Sequence, residues 1–300
     1  MTAIPELPGV EHTYVDVGRL RVHVALAGPE DAPPVVLLHG WPQNWWCWRH
    51  VIPLLADRYR LVLPDLRGHG WTDAPPRGYG KEQLATDLLG TMDALDLGRV
   101  VLVGHDWGGW TGFLACLREP ARFERYVAVN IPPPAMRLRP RALLDSWRIA
   151  YQVVLASPAG PLLLQQRPDL VRRAVRAGAV HPEVTTDADA DLYAELLTDP
   201  DRARASCLVY RSFLLEDAPA VFVGRYRQAE LQVPTTLLYG SNDIVVRPWM
   251  LGGGPNFRRR LTVHATDDAG HWLPEERPDL VAAAVDGTLR TPARTTAASR

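Results

Sequence analysis

Several short stretches of the chain are apolar or β-branched throughout: 35–38 (Val-Val-Leu-Leu), 61–63 (Leu-Val-Leu), 100–103 (Val-Val-Leu-Val), 126–129 (Tyr-Val-Ala-Val) and 235–239 (Thr-Thr-Leu-Leu-Tyr). Such runs have no solvent-facing side, so each predicts a strand buried on both faces of a parallel sheet. Upstream, residues 14–17 and 20–27 alternate apolar and polar positions, which predicts two antiparallel strands joined by Gly18-Arg19. Between the buried runs the period lengthens to that of a helix: from Trp45 to about Ala56, over 81–97 with Gly98 as the C-terminal cap, and over 108–119. Strand–helix alternation of this kind predicts an α/β architecture, a mostly parallel sheet flanked by helices.

The rhythm breaks at Ile131-Pro132-Pro133-Pro134. From there only helical segments follow, over 141–156, 162–177, 187–197 and 201–215, until the strand run at 235. A last strand at 261–264 and a closing helix including 278–285 complete the pattern. The predicted organisation is a core of 1–131 and 233–290, a helical cap of 132–232 inserted before the strand near 235, and a small, polar, disordered tail over 291–300. A cap in that place would close off water and shape a pocket.

The run at 100–103 leads into Gly104-His105-Asp106-Trp107-Gly108-Gly109, which fits Gly-x-nucleophile-x-Gly, a sharp strand-to-helix turn. The usual central residue is Ser; here it is Asp106. A serine attacking saturated carbon gives an ether that water does not readily reverse. A carboxylate is already anionic at neutral pH, and its attack makes an ester that water can cleave. Asp106 therefore points to substrates with an electrophilic sp3 carbon, epoxides or alkyl halides. A structural aspartate in a non-catalytic elbow is the competing reading, and the partners downstream weigh against it.

Those partners come in the order nucleophile, acid, histidine. Gly240-Ser241-Asn242-Asp243 places a carboxylate at the C-terminal end of a strand, on the same sheet edge as the elbow. Ala269-Gly270-His271-Trp272 places a histidine just beyond the last strand, where the general base belongs. His264, Asp267 and Asp268 compete for these roles but lack the loop position and the glycine. After the strand at 35–38, His39-Gly40-Trp41-Pro42 offers the N–H of Trp41 as one oxyanion donor, with the N–H of Trp107 as the other. Trp45, Trp46 and Trp48 read as core or pocket wall, and His69 as a structural or exposed histidine rather than a base.

A chain of 300 residues, 47% hydrophobic, can bury a large core in one domain with an insertion. A net charge of −1 suggests neither nucleic acid nor an anionic membrane surface as a partner. Cys47, Cys116 and Cys207 are odd in number and scattered, which favours a reducing compartment. The start shows no basic segment followed by an apolar run, and no stretch is long enough to span a membrane, so a soluble cytoplasmic protein, monomer or homodimer, is the expectation. Arginine nearly replaces lysine, leaving Lys81 as the only lysine.

Together these motifs resemble the α/β-hydrolase family, and within it the epoxide hydrolases, over nearly the whole chain. The loop at 39–42 and the elbow are the more specific markers; the last two are common to many α/β-hydrolases. The resemblance implies the α/β-hydrolase fold, a small-molecule epoxide and water as partners, and neither cofactor nor metal. It implies two cap tyrosines that hydrogen-bond the epoxide oxygen and protonate it as the ring opens; Tyr151-Gln152, followed by Pro158, and Tyr210-Arg211 match those places. Relatives often set the first tyrosine directly after a tryptophan, whereas here Arg148 follows Trp147. His39, Pro42, Trp147 and Trp272 are the expected pocket residues.

Haloalkane dehalogenases share the Asp–Trp elbow. They need a second halide donor, often an Asn at the position of Trp41, for which Trp147 is the candidate substitute. Fluoroacetate dehalogenases place Arg where this chain has Trp107. A non-catalytic binding protein on the same fold is the remaining alternative.

Overall fold

The computed structural model describes residues 2–136 and 150–289. Eight strands form one sheet: β1 (Val10–Val17), β2 (Leu20–Ala27), β3 (Pro34–Leu38), β4 (Arg60–Pro64), β5 (Val100–His105), β6 (Phe123–Val129), β7 (Thr235–Gly240) and β8 (Leu261–Thr266). Their spatial order is β1-β2-β4-β3-β5-β6-β7-β8. The first hairpin is as expected, with Val17 opposite Leu20 across Gly18-Arg19 and Gly18 at φ +62°. β2 pairs antiparallel with β4, and every pair from β4 to β8 is parallel.

The central strand shows why its sequence does not alternate. Val100 and Leu102 enter one core with Phe113 and Tyr126, while Val101 and Val103 enter a second core on the other face with Trp45 and Val285. Burying each such side chain contributes on the order of 1.5–3 kcal/mol. At the edge, β8 is only partly covered and Thr262 and Val263 are exposed.

The helices around the core are α1 (Ile52–Leu55), α2 (Lys81–Ala94) and α3 (Asp106–Arg118). Between β6 and β7 come α4 (Ala150–Ala156), α5 (Gly160–Gln166), α6 (Pro168–Ala177), α7 (Asp187–Leu196), α8 (Pro200–Ser212) and α9 (Ala218–Phe222). After β7 follow α10 (Pro255–Arg258), α11 (Leu273–Glu276) and α12 (Pro278–Asp286). Among the described residues no helix is long and apolar enough to cross a membrane.

Three helix expectations need correction. The helix predicted from Trp45 is instead a 3-10 turn, Trp45–Trp48, capped by the side chain of Asn44, followed by the separate α1. Pro53 has no N–H to bond the carbonyl of Arg49 and its ring would clash there, so a helix can only restart around it. The segment 162–177 likewise divides into α5 and α6, with Pro168 opening α6. Finally, α2 ends at Ala94 and Asp96, at φ +51°, makes the left-handed turn assigned to Gly98. Aspartate tolerates that conformation better than most residues. The helix expected over 141–149 and the tail at 291–300 lie outside the described residues.

Candidate active site

β5 ends at His105 and α3 starts at Asp106, so the chain reverses direction at a single residue with φ +48°. A non-glycine residue is rarely found there, and held strain of this kind clusters at functional sites. The turn closes only because its neighbours lack side chains. A Cβ on Gly108 would lie 2.4 Å from the carbonyl oxygen of His39, and one on Gly40 would lie 2.5 Å from Asp106 Oδ2. Loop 39–42 therefore presses against the elbow, and the Trp41 N–H donates to Asp106 Oδ2 at 3.0 Å. The Trp107 N–H also bonds the carboxylate, which sits at the positive end of α3. Burial pushes the Asp106 carboxyl above its ordinary value, against the pull of His271 and these two N–H groups.

The loops after β7 and β8 bring the other two candidates together. His271 Nδ1 lies 2.9 Å from Asp243 Oδ2, and Asp243 Oδ1 accepts the N–H groups of Val245 (2.7 Å) and Val246 (2.9 Å). Burial alone would push the imidazole down. The Asp243 carboxylate, joined by the charge of Asp106, outweighs it and raises His271 to about 9.

Sequence reading missed the residues that hold these loops. Asn130, at the end of β6 with φ +47°, donates to the carbonyls of Gly270 and His271, both at 2.8 Å, and accepts the N–H of Gly240 at 2.8 Å. It ties the acid loop to the histidine loop. Glu276 accepts the N–H groups of Gly270 and of Val180 in the inserted segment, and the His271 N–H bonds Gly178 O at 2.7 Å. The only available signal was Asn130 itself, a polar residue closing an apolar strand.

The inserted helices bring the two tyrosines over the elbow. Tyr210, in α8, is 1% exposed, and its ring packs edge-on against Trp41 (5.4 Å between centroids), Trp107 (5.6 Å) and Tyr151 (5.7 Å). Tyr151, in α4, is 37% exposed and stacks on Trp41 at 6.4 Å. Burial, with the nearby Asp106 carboxylate adding to it, pushes the Tyr151 phenol up to about 12 and raises Tyr210 well above its ordinary value, so both keep their protons.

Two cavities meet at Asp106, Tyr151 and Val245. One, of about 210 Å³, is walled by Trp107, Trp110, Phe213 and Trp249 among others. The second, of about 350 Å³, is bounded by Trp41, Tyr210, His271, Trp272 and leucines of α5 and α6. Asp106 and His271 are the only charged or readily charged groups among the described residues of either wall.

Of the expected pocket residues, Trp272 lines the second cavity and Trp147 lies outside the described residues. His39 and Pro42 line neither of these two cavities. His39 is fully buried beneath loop 39–42, where Nε2 accepts the Leu66 N–H at 2.9 Å and Nδ1 bonds Gly40 O. His69 is a buried structural histidine, held neutral by burial that lowers it to about 3. Trp45 and Trp48 are fully buried core.

Comparison with known proteins gives the same frame. The chain is 28% identical over 286 residues to the AB hydrolase superfamily protein YfhM of Bacillus subtilis, covering 92% of this chain and 96% of that one. It is 28% identical over 285 residues to the soluble epoxide hydrolase of Corynebacterium sp. strain C12, covering 91% and 94%. The crystal structure of Cfl2 from Burkholderia cenocepacia superposes with a TM-score of 0.83 at 27% identity, over 96% of this chain and 98% of that one. A family profile described as alpha/beta hydrolase fold matches residues 33–278. With that match over most of its length, and the sheet and elbow described above, the chain belongs to the α/β-hydrolase fold family.

Proposed function

We propose that this protein is an epoxide hydrolase that opens an epoxide to a vicinal diol through an ester on Asp106. The observation that carries the reading is a carboxylate at the elbow facing two protonated phenols at the meeting point of two apolar cavities. Asp106 attacks one epoxide carbon and the C–O bond breaks, while Tyr210 and Tyr151 stabilise the leaving oxygen and one of them protonates it. The product is a hydroxyalkyl ester. His271, oriented by Asp243, then takes a proton from water as that water attacks the ester carbonyl. The resulting oxyanion is stabilised by the N–H groups of Trp41 and Trp107, worth ~3 kcal/mol per donor in comparable sites. On collapse the departing alkoxide takes the proton held by His271 and the water's second proton passes to the tyrosinate, which releases the diol and regenerates the carboxylate and both phenols.

In this reading residues 132–232 act as a cap over a core of 1–131 and 233–290. Similarity to the Corynebacterium enzyme, whose name states epoxide hydrolysis, supports it. Among the described residues the buried indole N–H of Trp41 has no partner and that of Trp107 has only the Tyr210 hydroxyl, which favours dehalogenation as the second reading, since such donors suit a halide. A departing halide needs no proton, however, and the two phenols would then have no task.

Oxygen labelling separates ester formation from direct attack by water. In a single turnover in 18O-water the diol should contain no label, and the Asp106 peptide should gain one 18O. Label in the first-turnover diol, with none in Asp106, would contradict the mechanism.

A further inference from the structure

Lys81, the only lysine, has a completely buried side chain. An ammonium is costly to bury unless it is paired and hydrogen-bonded. This one opens α2 and donates to the carbonyl oxygen of Val209 at 3.0 Å, with Asp217 Oδ2 3.6 Å away. The same nitrogen lies 4.2 Å from the centroid of the Trp107 indole and 5.6 Å from that of Phe213. These partners adjoin the proposed reacting groups: Val209 precedes Tyr210, and Trp107 follows Asp106. Phe213 and Asp217 bound a π-helical turn that continues α8, and Phe213 and Leu214 wall the smaller cavity.

Each contact suits a cation. The Val209 carbonyl, in the last turn of α8 before the π-helical turn, has a second lone pair to offer the ammonium beside its bond from the Phe213 N–H. The indole face attracts positive charge as well. Buried ion pairs of this kind rarely exceed well-packed apolar residues in net stability, which leaves geometry as what the pair supplies.

We propose that Lys81 is a positioning residue for ring opening: its ammonium gathers the end of α8, the π-helical turn and the Trp107 ring around one point, fixing the Tyr210 hydroxyl relative to Asp106. This rests on the epoxide-opening reading above. The Trp107 backbone N–H is set separately by the packing of the elbow, and His271 and Asp243 do not touch Lys81. Loss of Lys81 should therefore fall on ester formation and spare ester hydrolysis.

The test is rapid-quench intact-mass analysis of single turnovers, comparing wild type with Lys81→Met/Asp217→Asn, which leaves no lone charge buried. The expected result is ester formation slowed about tenfold or more, as for a displaced catalytic group, with ester decay within about threefold of wild type. Both steps at wild-type rates, or slowed equally, in a folded double variant would overturn the proposal. If that variant does not fold, Lys81→Arg, which keeps the charge but moves it, carries the same test. An ester in wild type with an unaffected variant overturns only the role of Lys81. No ester in wild type with any epoxide overturns the functional reading, and the role of Lys81 with it.

Discussion

At neutral pH the proposed site confines two opposite charges, the carboxylate of Asp106 and an imidazolium on His271, because His271 is raised to about 9. A protonated histidine cannot act as a base, so the resting state is set for attack by Asp106 rather than for hydrolysis. Ester formation removes the charge of Asp106, one of those that raise His271. A charge lost at close range is worth roughly a pKa unit per 1.4 kcal/mol, so the imidazole moves down and becomes competent in the intermediate alone. Ester decay should thus rise with pH to a plateau, with its midpoint below 9. Ring opening should instead be lost as pH falls through the raised pKa of Asp106. Rapid-quench measurement of both rates between pH 4 and pH 10 checks this, and ester decay that slows from pH 6 to pH 9 would contradict it. Asp106, Asp243 and His271 stood out in the sequence because each lies within three residues of a glycine near the end of a strand. Asn130, Glu276 and Lys81 were not, because their partners lie far off in the chain and only tertiary packing pairs them.

Among the elements, the elbow is a packing problem solved by missing side chains. In an exposed helix Gly→Ala is stabilising by about 1 kcal/mol. In α3 the sign should reverse at Gly108, where a Cβ would meet the carbonyls of His39 and Leu38 at 2.4 and 2.5 Å. These are backbone atoms that cannot rotate away. Gly108→Ala should cost about 1–3 kcal/mol, as overpacked sites do, read as a lower urea midpoint with an unchanged slope. An unchanged or higher midpoint would mean that loop 39–42 does not press on the elbow as described. Strands were the most legible elements, since a run with no polar position has only one way to be buried on both faces. The breaks at Pro53 and Pro168 were present in the sequence and read through. The π-helical turn of Phe213–Asp217 left no pattern to read, because its register depends on what α8 packs against.

For the whole molecule, the inserted helices are fastened to the sheet by polar contacts as well as apolar ones. The Arg49 guanidinium bonds Glu275 of α11, Asp189 of α7 (3.0 Å) and the carbonyl of Val184 (2.9 Å), and Tyr193 donates to the same glutamate at 2.8 Å. This network and the bond from His271 to Gly178 place the segment over Asp106 and enclose the two apolar cavities. Alternation of strands and helices announced the architecture, but not that β4 would lie outside β3, nor how the inserted helices would sit. The account stands on Asp106 as nucleophile, and intact mass of His271→Ala after separate incubation with epoxides and haloalkanes tests it most directly. Without its base the protein should stall as the ester, gaining the whole mass of the epoxide, and Asp106→Ala should abolish the gain. A gain from haloalkanes alone, equal to the alkyl group without its halogen, or no adduct from any epoxide, would contradict epoxide opening at Asp106.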